Sequence, residues 1–399
     1  MVSGQEQRVL PPSLLDSVSC QRAWVEVDLA ALAHNVRTLK AWLTPTTKLM
    51  AVVKADAYGH GAITVARTAL ANGADSLAIA TLAEGVELRR GGITAPILIL
   101  GAINATEDIK AVAAWKLSAT VCDRQQALVF DRTFAALGTS AAVQLKLDTG
   151  MSRLGTNWQD AVDFASFVRD LPHLEIKSIY SHFSTADEPD CSYMDMQHRR
   201  FKTAIARLKK AGLNPPELHL ANSAATLSDR TTHYDLVRVG LALYGLSPAA
   251  HLEQILDLKP VLQVKAKIAQ VKTIPKGEGV SYGRKFITSC DTKVAVVGIG
   301  YADGVPRNLS NRLQAIVGGK LASQIGAITM DQLMLRIDDI PNVKAGDTVT
   351  LIGREGNLSL TAEDWANKLD TISWEILCGF KHRLPRIFIN GQWTMDSEQ

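Results

Sequence analysis

The sequence predicts an α/β protein in which a (β/α)8 barrel is followed by a mostly antiparallel β domain. The first observation behind this prediction is an alternation of short β-rich runs with helical patterns, repeated eight times between about residues 48 and 245. The second is a change of period near Leu258, after which apolar and polar residues alternate. An open doubly wound sheet is the alternative for the first part of the chain.

Each β-rich run is followed by a helical pattern, and one such pair occupies roughly 20 to 35 residues. Repeated alternation of this kind favours parallel strands that close into a barrel. Helix candidates include residues 61–71, 158–170 and 192–211, the last with Phe201 on its apolar face. The strands are expected at 48–54, 76–81, 95–101, 118–123, 143–148, 176–182, 217–221 and 236–244.

The residues after about 258 predict a separate, mostly β domain. Apolar residues alternate with mostly polar ones in 262–269, and further runs at 293–299, 313–317, 332–337 and 348–352 are separated by glycine and proline turns. One helix is expected to interrupt them. Thr361 and Asp364 have the spacing of a capping box, and apolar residues follow at helical spacing as far as Ile376.

These patterns divide the chain into three segments. Residues 1–21 are expected to form a loosely held extension, 22–255 the barrel and 256–399 the β domain. The run 24–28 ahead of the first barrel strand is short and β-rich. Residues 22–29 are therefore also a candidate for pairing with the β domain.

Bulk composition indicates a soluble globular protein. The chain has 399 residues, 47% of them hydrophobic, with 43 Lys and Arg against 40 Asp and Glu, so a nucleic-acid or membrane-surface partner is not indicated. The five cysteines show neither a pairing pattern nor metal-ligand spacing, which predicts no metal site and favours the reducing cytoplasm. We find no secretory signal, and the apolar stretch at 95–103 is too short to span a bilayer.

Lys54 stands where an apolar strand breaks into a glycine-flanked turn, in the segment LMAVVKADAYGHG (49–61). Burial disfavours an ammonium, so an amine at such a place loses its proton readily and suits imine formation with a carbonyl cofactor. A strand-end lysine whose charged head reaches solvent is the structural alternative. This segment alone leaves both interpretations open.

Polar side chains crowd the C-terminal ends of the predicted strands, where the chemistry of such barrels collects. They are Lys54 and Tyr58 at the first strand, Lys146, Asp148 and Arg153 at the fifth, His182 at the sixth, Asn222 and Ser223 at the seventh, and Arg238 and Gly240 at the eighth. Taken singly, Arg153 could be a helix-start arginine, His182 a core histidine and Asp148 a loop cap. Their joint placement on one rim favours a functional site.

Arg238 is flanked by Val237 and Val239 in a strand that is expected to be buried. A guanidinium keeps its charge when buried and needs an acceptor, which a structural carboxylate or the ring nitrogen of an aromatic cofactor would provide. Ser223 and the backbone N–H groups around Gly240 follow the last two strands, the usual place of a barrel phosphate site.

These residues resemble the motifs of the alanine racemase family. In the barrel the resemblance is carried by VKADAYGHG (53–61), KLDTGMSRLG (146–155), SHF (181–183), ANSA (221–224) and RVG (238–240). In the β domain it is carried by VSYG (280–283), GYADG (300–304) and MDQ (330–332). The motifs occur in this order between about residues 24 and 388, and together they are highly specific.

The resemblance implies an enzyme that interconverts L-alanine and D-alanine, for peptidoglycan synthesis, with pyridoxal 5′-phosphate bound to Lys54 as a Schiff base. It implies two bases, Lys54 acting on the D-enantiomer and Tyr282 on the L-enantiomer. Tyr282 would come from the second subunit of a head-to-tail homodimer with shared active sites. Because a free tyrosine ionises near pH 10, His182 and Arg238 are expected to supply a positive environment. The structural alternative for Tyr282 is an aromatic packed in the β core.

The same resemblance implies the remaining contacts. Arg153 would bind the substrate carboxylate, with Tyr301 and Met330 lining the entrance. Lys146 is the lysine that this family can carbamylate, which would give an anion that orients Arg153. Arg238 would face the pyridine nitrogen of the cofactor and leave it unprotonated. The cofactor phosphate would be surrounded by Tyr58, Ser223, Gly240, Leu241 and Tyr244.

His382 departs from the family pattern, since some members have a tyrosine before the segment RLPR (383–386). An imidazole can still donate to a phosphate, but the pocket would differ in size and polarity, so serine or another small amino acid is an alternative substrate. A barrel-type amino-acid decarboxylase is a further alternative, although such enzymes usually have an acidic residue where this chain has Arg238. A non-catalytic cofactor-binding protein is another, although that class generally lacks the domain that holds Tyr282.

Overall fold

The structure, a computed structural model, describes residues 22–391 of the 399-residue chain. The extension predicted at 1–21 lies outside the described residues. One compact unit contains Asp28–Val261, and the other contains Leu262–Phe388 together with the described residues up to Val27. None of the helices in 22–391 combines the length and the apolar character needed to cross a membrane.

Strands alternate with helices in the first unit, and strands dominate the second. The strands are β1 (Ala23–Asp28), β2 (Lys48–Val52), β3 (Ser76–Ile79), β4 (Ile97–Ala102), β5 (Ser118–Val121), β6 (Ala141–Asp148), β7 (Thr156–Asn157), β8 (Leu174–Tyr180), β9 (Leu218–His219), β10 (Leu236–Val239), β11 (Leu262–Ile274), β12 (Thr292–Val297), β13 (Gln314–Val317), β14 (Lys320–Ser323), β15 (Leu333–Arg336), β16 (Thr348–Glu355), β17 (Leu358–Leu360) and β18 (Arg386–Ile389). The helices are α1 (Leu29–Trp42), α2 (Lys54–Gly59), α3 (Ala62–Ala71), α4 (Leu82–Arg90), α5 (Thr106–Ala114), α6 (Arg124–Ala136), α7 (Ala161–Arg169), α8 (Ser192–Lys210), α9 (Ser223–Ser228), α10 (Ala362–Leu369) and α11 (Ser373–Gly379).

Eight parallel strands of the first unit close into a barrel, as the sequence predicts. The ring runs from β2 through β3, β4 and β5 to β6, and returns through β8, β9 and β10 to β2. Each of the eight predicted runs overlaps one of these strands. The closure between β5 and β6 excludes the open sheet that was the alternative.

Several barrel strands end earlier than predicted, and two of them, β2 and β10, end beside the candidate site residues Lys54 and Gly240. β2 stops at Val52 because a turn begins at Lys54, and β10 stops at Val239 because Gly240 leaves the extended conformation, with φ −115° and ψ −87°. β2 and β10 are neighbours in the ring, with Val239 opposite Ala51. The segments that follow these two strands therefore start side by side on the same rim.

The barrel is filled by apolar side chains at the level of β2, and its outer helices bury apolar faces against it. Met50, Val52, Ala78, Leu98 and Leu236 form one buried cluster. On α8 the predicted apolar face is present, because Phe201, Ile205 and Leu208 are buried whereas Lys202 is exposed. Burial of such faces supplies most of the free energy that holds the helices on the strands.

The second unit is built on a mostly antiparallel sheet, also as predicted. Its longest strand, β11, pairs antiparallel with β1, β12 and β16. The run ahead of the barrel thus lies in this sheet, with Val25 opposite Val264. β13 and β14 form a hairpin through Gly318 and Gly319, whose φ values of 54° and 72° are those of a two-residue turn that favours glycine.

The prediction of a single helix after Thr361 is wrong, because the structure has two, α10 and α11. The capping box is present: Thr361 Oγ1 accepts the N–H of Asp364, and Asp364 Oδ2 accepts the N–H of Thr361. Asp370 then adopts the left-handed conformation, with φ 54° and ψ 51°, which ends α10. Trp365 and Ile376 are buried on either side of this break and keep helical spacing across it, so the sequence pattern does not reveal the break.

The packing of α8 predicts a large stability effect at Phe201. Phe201→Ala should lower the free energy of unfolding by about 3–5 kcal/mol, because it removes a fully buried ring and leaves a cavity. The matched control is the exposed neighbour Lys202, for which Lys202→Ala should change it by less than about 0.5 kcal/mol. Urea unfolding followed by circular dichroism measures both. Equal losses in the two variants would show that α8 does not pack through Phe201.

Candidate active site at the barrel rim

Lys54 opens a turn of unusual handedness at the end of β2. Residues 55–58 all have φ between 52° and 54°, the left-handed helical region, which costs an L-residue roughly 1–2 kcal/mol. The N–H of Ala57 donates to Val53 O at 2.9 Å within this turn. Such backbone strain persists where the surrounding structure enforces it, and it concentrates at functional sites. The turn therefore marks the segment around Lys54 as a candidate functional segment.

Tyr58 and Ser223 meet at Gly240 on the same rim. The N–H of Gly240 donates to Ser223 Oγ at 2.9 Å, so the hydroxyl hydrogen of Ser223 can still be donated elsewhere. A Cβ at residue 240 would lie 2.7 Å from the Tyr58 hydroxyl oxygen, so this hydroxyl can approach the backbone only because the residue is Gly240. Leu241 continues the buried backbone beside it. Two hydroxyl groups around a backbone without side chain can accommodate an anionic oxygen group.

Tyr244 packs its ring against Tyr58 and directs its hydroxyl hydrogen to β2, not to Gly240. Its hydroxyl donates to Val52 O at 3.0 Å. Its ring lies 5.0 Å from that of Tyr58 and 4.4 Å from that of His60, measured between centroids. The hydroxyl hydrogen of Tyr244 is thus donated at the end of β2, and its ring packs against Tyr58.

Arg238 is buried inside the barrel, with 3% of its surface exposed. Its Nη1 donates to His219 Nδ1 at 2.7 Å, and its Nη2 donates to the carbonyl oxygens of Ser181 and Leu220 at 2.7 and 3.1 Å. Nη2 also lies 3.1 Å from His182 Nδ1. Burial lowers the pKa of Arg238 to about 10, so it stays charged at neutral pH. Among residues 22–391 its acceptors are imidazoles and carbonyls, not the structural carboxylate that was one alternative.

Both histidines beside Arg238 are neutral. Burial, followed by the charge of Arg238, lowers the pKa of His182 and of His219 well below the usual value for histidine. Because a guanidinium can only donate, a hydrogen on either Nδ1 would face another N–H, which places the ring hydrogen on Nε2 in both histidines. Nη2 has two hydrogens for three acceptors, so His182 Nδ1 shares one of them with a carbonyl oxygen. His182 is therefore favoured as a neutral ring, not as the second positive charge expected from the sequence. It offers a neutral N–H whose orientation Arg238 fixes.

Behind His219 lies a buried polar network that the sequence analysis missed. His219 Nε2 is 2.9 Å from Gln144 Oε1 and 3.0 Å from Ser178 Oγ. The ring of Tyr180 stacks on His219 at 4.6 Å between centroids, and its hydroxyl lies 2.7 Å from Thr120 Oγ1. The alternation in ELHLA (217–221) could have placed His219 inside the barrel. The partners lie on other strands, and only the closure of the ring brings them together.

Lys146 is a second buried cation of the barrel, with 5% of its surface exposed. Its Nζ lies 4.7 Å from the centroid of the Tyr180 ring. Burial, followed by the charges of Arg238 and Arg153, lowers the pKa of the Lys146 amine to about 7. Much of this amine is therefore unprotonated near neutral pH, and the unprotonated amine is the nucleophilic form.

Asp148 shapes the turn that carries Arg153. Its Oδ1 accepts the N–H of Gly150 at 2.9 Å and that of Ser152 at 3.1 Å. The loop-cap interpretation of Asp148 is therefore right, and the cap holds Ser152 in a left-handed conformation with φ 55°. Arg153 follows directly and is exposed on the rim. A guanidinium in this place can bind a carboxylate with two parallel hydrogen bonds.

Tyr282, Tyr301 and Met330 lie in the second unit with 73%, 42% and 52% of their surfaces exposed. The N–H of Tyr301 donates to Thr329 O at 2.9 Å, so the loops that carry Tyr301 and Met330 adjoin. The interpretation of Tyr282 as a packed core aromatic is wrong, because most of its side chain is in solvent. Exposed large side chains of this kind mark contact surfaces.

Two arginines of the second unit hold the acidic residues next to these loops. Arg22 binds the buried carboxylate of Asp303 through both terminal nitrogens, at 2.9 and 2.6 Å. Arg383 Nη2 donates to Asp331 Oδ1 at 2.7 Å, and its Nε lies 3.5 Å from Asp303 Oδ1. His382, the departure from the family pattern, precedes Arg383 and is exposed. The residue after His382 is thus tied to Asp331 through its side chain.

Sequence comparison matches two family descriptions to this chain. "Alanine racemase, N-terminal domain" covers residues 27–248, and "Alanine racemase, C-terminal domain" covers 261–388. The chain belongs to the alanine racemase family. The alanine racemase of Nostoc sp. is 59% identical over 369 residues, which cover 92% of this chain and 96% of that protein. The alanine racemase of Synechocystis sp. is also 59% identical, over 92% of this chain and 99% of that protein.

Solved structures of the family share the fold. The alanine racemase of a Streptomyces lavendulae that produces D-cycloserine is 37% identical with a TM-score of 0.88, over 93% of this chain and 98% of that chain. The Bacillus anthracis alanine racemase with bound L-Ala-P is 38% identical with a TM-score of 0.88, over 92% of this chain and 95% of that chain. Both joined units are thus features of the family. Like its relatives, this chain is an isomerase that racemises alanine.

The buried amine of Lys146 predicts a pH-dependent stability. Its pKa is about 7 in the folded protein, whereas an unperturbed lysine has a pKa of about 10.4. Between these two pKa values the Lys146 amine is protonated in the unfolded chain but not in the folded chain. Its contribution to the free energy of unfolding therefore rises with pH. Lys146→Met should therefore be more stable than the parent near pH 7, on the order of 4 kcal/mol, and the difference should shrink towards about pH 10.

Urea unfolding in buffer freed of CO2, at several pH values, measures this difference. The control is Lys202→Met on the exposed face of α8, for which the difference should not vary with pH. A difference for Lys146→Met that is constant with pH would show that its amine titrates normally.

Proposed function

We propose that the enzyme uses pyridoxal 5′-phosphate to interconvert L-alanine and D-alanine with two bases, Lys54 and the partner subunit's Tyr282. The observation that carries the proposal is the meeting of Tyr58 and Ser223 at Gly240. Gly240 follows β10, the strand that pairs with the one leading to Lys54. An amine that can react with an aldehyde and a site for a phosphate therefore lie on neighbouring strand ends.

The residues of the barrel rim fit this cofactor. Tyr58 and Ser223 offer hydroxyl hydrogens to a phosphate, with the backbone at Gly240 and Leu241 beside them. Arg238 places a fixed positive charge in the barrel interior. Beside the pyridine nitrogen of the cofactor this charge would leave the nitrogen unprotonated, whereas an acidic residue there would favour its protonation. When bound, pyridoxal 5′-phosphate supplies an electron sink that stabilises negative charge at the alpha carbon of the substrate.

Lys54 would hold the cofactor through its Nζ until the substrate amine replaces it, and would then exchange a proton on one face of the substrate. Its backbone is well placed for this, because the left-handed turn at 55–58 fixes the chain directly after it. A base held in one geometry removes a proton faster than a mobile one. Lys54 is assigned to the D-enantiomer.

The partner subunit's Tyr282 would exchange a proton on the opposite face, with the L-enantiomer. A tyrosine acts as a base near neutral pH only if its phenolate is stabilised. His182 would do this as a neutral donor, since Arg238 occupies its Nδ1 and leaves the hydrogen on Nε2. The charge of Arg238 thus reaches Tyr282 through a polarised imidazole rather than through a second cation.

Arg153 would bind the substrate carboxylate, and the partner subunit's Tyr301 and Met330 would line the entrance. Lys146 would orient Arg153 once its amine has added to CO2, losing one proton to give an anionic carbamate. The lowered pKa of Lys146 supports this step, because only the neutral amine adds. As a carbamate it would also offset one of the two neighbouring positive charges, those of Arg238 and Arg153.

A homodimer with shared active sites is supported by the exposure of Tyr282, Tyr301 and Met330 on the second unit. We infer a cytoplasmic enzyme that supplies D-alanine for peptidoglycan. Serine or another small amino acid is a second candidate substrate, because His382 stands where some members of the family have a tyrosine. His382 could donate to the cofactor phosphate.

The assignment of Lys54 predicts a coloured, active protein that loses both properties in Lys54→Ala. The parent should be yellow when purified with its cofactor and should convert either enantiomer of alanine into a mixture of both. Chiral chromatography of products from a panel of alanine, serine and other small amino acids measures activity and specificity. A Lys54→Ala protein that kept the cofactor absorbance and full activity would overturn the assignment.

Sharing of sites between subunits predicts that two inactive variants restore activity when mixed. A heterodimer of Lys54→Ala and Tyr282→Ala subunits has one intact pair of bases, so random reassociation should recover about a quarter of the parental activity. The control is each variant reassociated with itself, which should stay inactive. If heterodimers form, as shown by mass spectrometry of tagged subunits, and no activity returns, the sites are not shared.

A further inference from the structure

Glu84 makes a hydrogen bond that its local sequence does not explain. With Thr81 it forms the capping box of α4, in which Glu84 Oε2 accepts the N–H of Thr81 at 3.0 Å and also that of Ala80 at 2.7 Å. Its other oxygen, Oε1, accepts the N–H of Ala55 at 2.7 Å. Ala55 is 29 residues away along the chain and is the residue after Lys54.

A capping box needs one acceptor oxygen for the N-cap, as the second capping box of this chain shows. There Asp364 Oδ2 accepts the N–H of Thr361 at 2.7 Å, and the bonds of the described residues give Asp364 no acceptor role towards a distant segment. Glu84 uses both oxygens and three backbone donors. Its extra bond therefore serves the turn at Lys54 rather than α4.

The bond to Ala55 falls at the point where the turn needs an acceptor. The first N–H groups of any helical turn lack a partner within the turn. A carboxylate accepts such a hydrogen more strongly than a neutral oxygen does. Here it also offsets the strain of residues 55–58, which are all in the left-handed region.

Glu84 also completes a pair of bonds that enclose Lys54. On the side before Lys54, Val53 O belongs to the peptide bond between Val53 and Lys54 and accepts the N–H of Ala57 at 2.9 Å. On the other side, the N–H of Ala55 belongs to the peptide bond that follows Lys54 and donates to Glu84. Fixing the peptide groups on both sides fixes the backbone dihedral angles of Lys54, and with them the direction in which its side chain leaves the rim.

We propose that Glu84 is a positioning residue for Lys54, which holds the left-handed turn through the N–H of Ala55. The effect on catalysis rests on the function proposed for Lys54, whereas the effect on the turn does not. Both are measured in the full-length holoenzyme.

Glu84→Gln is the informative variant, because the amide keeps the shape of the side chain but has one acceptor oxygen for three backbone donors. The amide oxygen is expected to keep the two donors Ala80 and Thr81, so the NH2 group faces the N–H of Ala55 and that bond breaks. The matched control is Thr81→Ala, which removes only the bond from the Glu84 N–H to Thr81 Oγ1 and keeps the carboxylate. Loss of α4 stability alone would affect both variants alike.

Amide hydrogen exchange reports on the turn without any assay of activity. In Glu84→Gln the amides of 55–58 should exchange about tenfold faster or more, since the bond lost is charge-assisted, and in Thr81→Ala they should not change. In the same preparations, Glu84→Gln should lower kcat for alanine about tenfold with less than about a twofold change in KM, because misplacing a base affects the proton transfer rather than substrate binding.

Unchanged exchange at 55–58 in Glu84→Gln, or equally increased exchange in Thr81→Ala, would overturn the proposal. Faster exchange with unchanged kcat would also overturn it, because the turn would then not position Lys54. If exchange responds as expected but Lys54→Ala is as active as the parent, the function proposed for Lys54 fails, while the hydrogen bond from Ala55 to Glu84 is confirmed.

Discussion

The buried guanidinium of Arg238 is the constraint on which the polar interior of the barrel depends. Arginine does not lose its proton when it is buried, so every group around it must accept a hydrogen or tolerate a positive charge. His182 and His219 respond by staying neutral with Nδ1 as the acceptor. Lys146 responds by a lowered pKa. Burial is the largest cause of these three pKa shifts, and the charge of Arg238 is the next largest in each.

This charge pattern favours anionic ligands on the rim. Three basic side chains lie inside the barrel or at its mouth: Arg238, Lys146 and Arg153. The carboxylate of Asp148 accepts backbone N–H groups of its own turn. A ligand with a phosphate and a carboxylate would balance these cations. In the proposed mechanism the neutral ring of His182 would transmit the charge of Arg238 by its orientation rather than add a charge of its own.

Backbone strain is the second feature of the rim. Residues 55–58 occupy a conformation that L-residues avoid, and Asp148 holds Ser152 in the same region at the turn before Arg153. In both places a carboxylate accepts backbone N–H groups, Glu84 in the first and Asp148 in the second. Lys54 thus precedes a turn that an acidic side chain holds, and Arg153 follows another.

Much of this protein could be predicted from the sequence, because the relevant signals are local. The eight β-rich runs and the change of period gave the barrel and the antiparallel sheet, and ordered motifs such as VKADAYGHG and RVG gave the family and the candidates Lys54 and Arg238. Helix boundaries were harder to predict, since Trp365 and Ile376 keep helical spacing across the break at Asp370. The tertiary structure alone decided which groups meet: that Arg238 lies between two histidines, that Tyr282 is exposed, and that Glu84 reaches Ala55. The physical reason is that protonation and hydrogen bonding depend on neighbours from distant strands, which a linear pattern does not bring together.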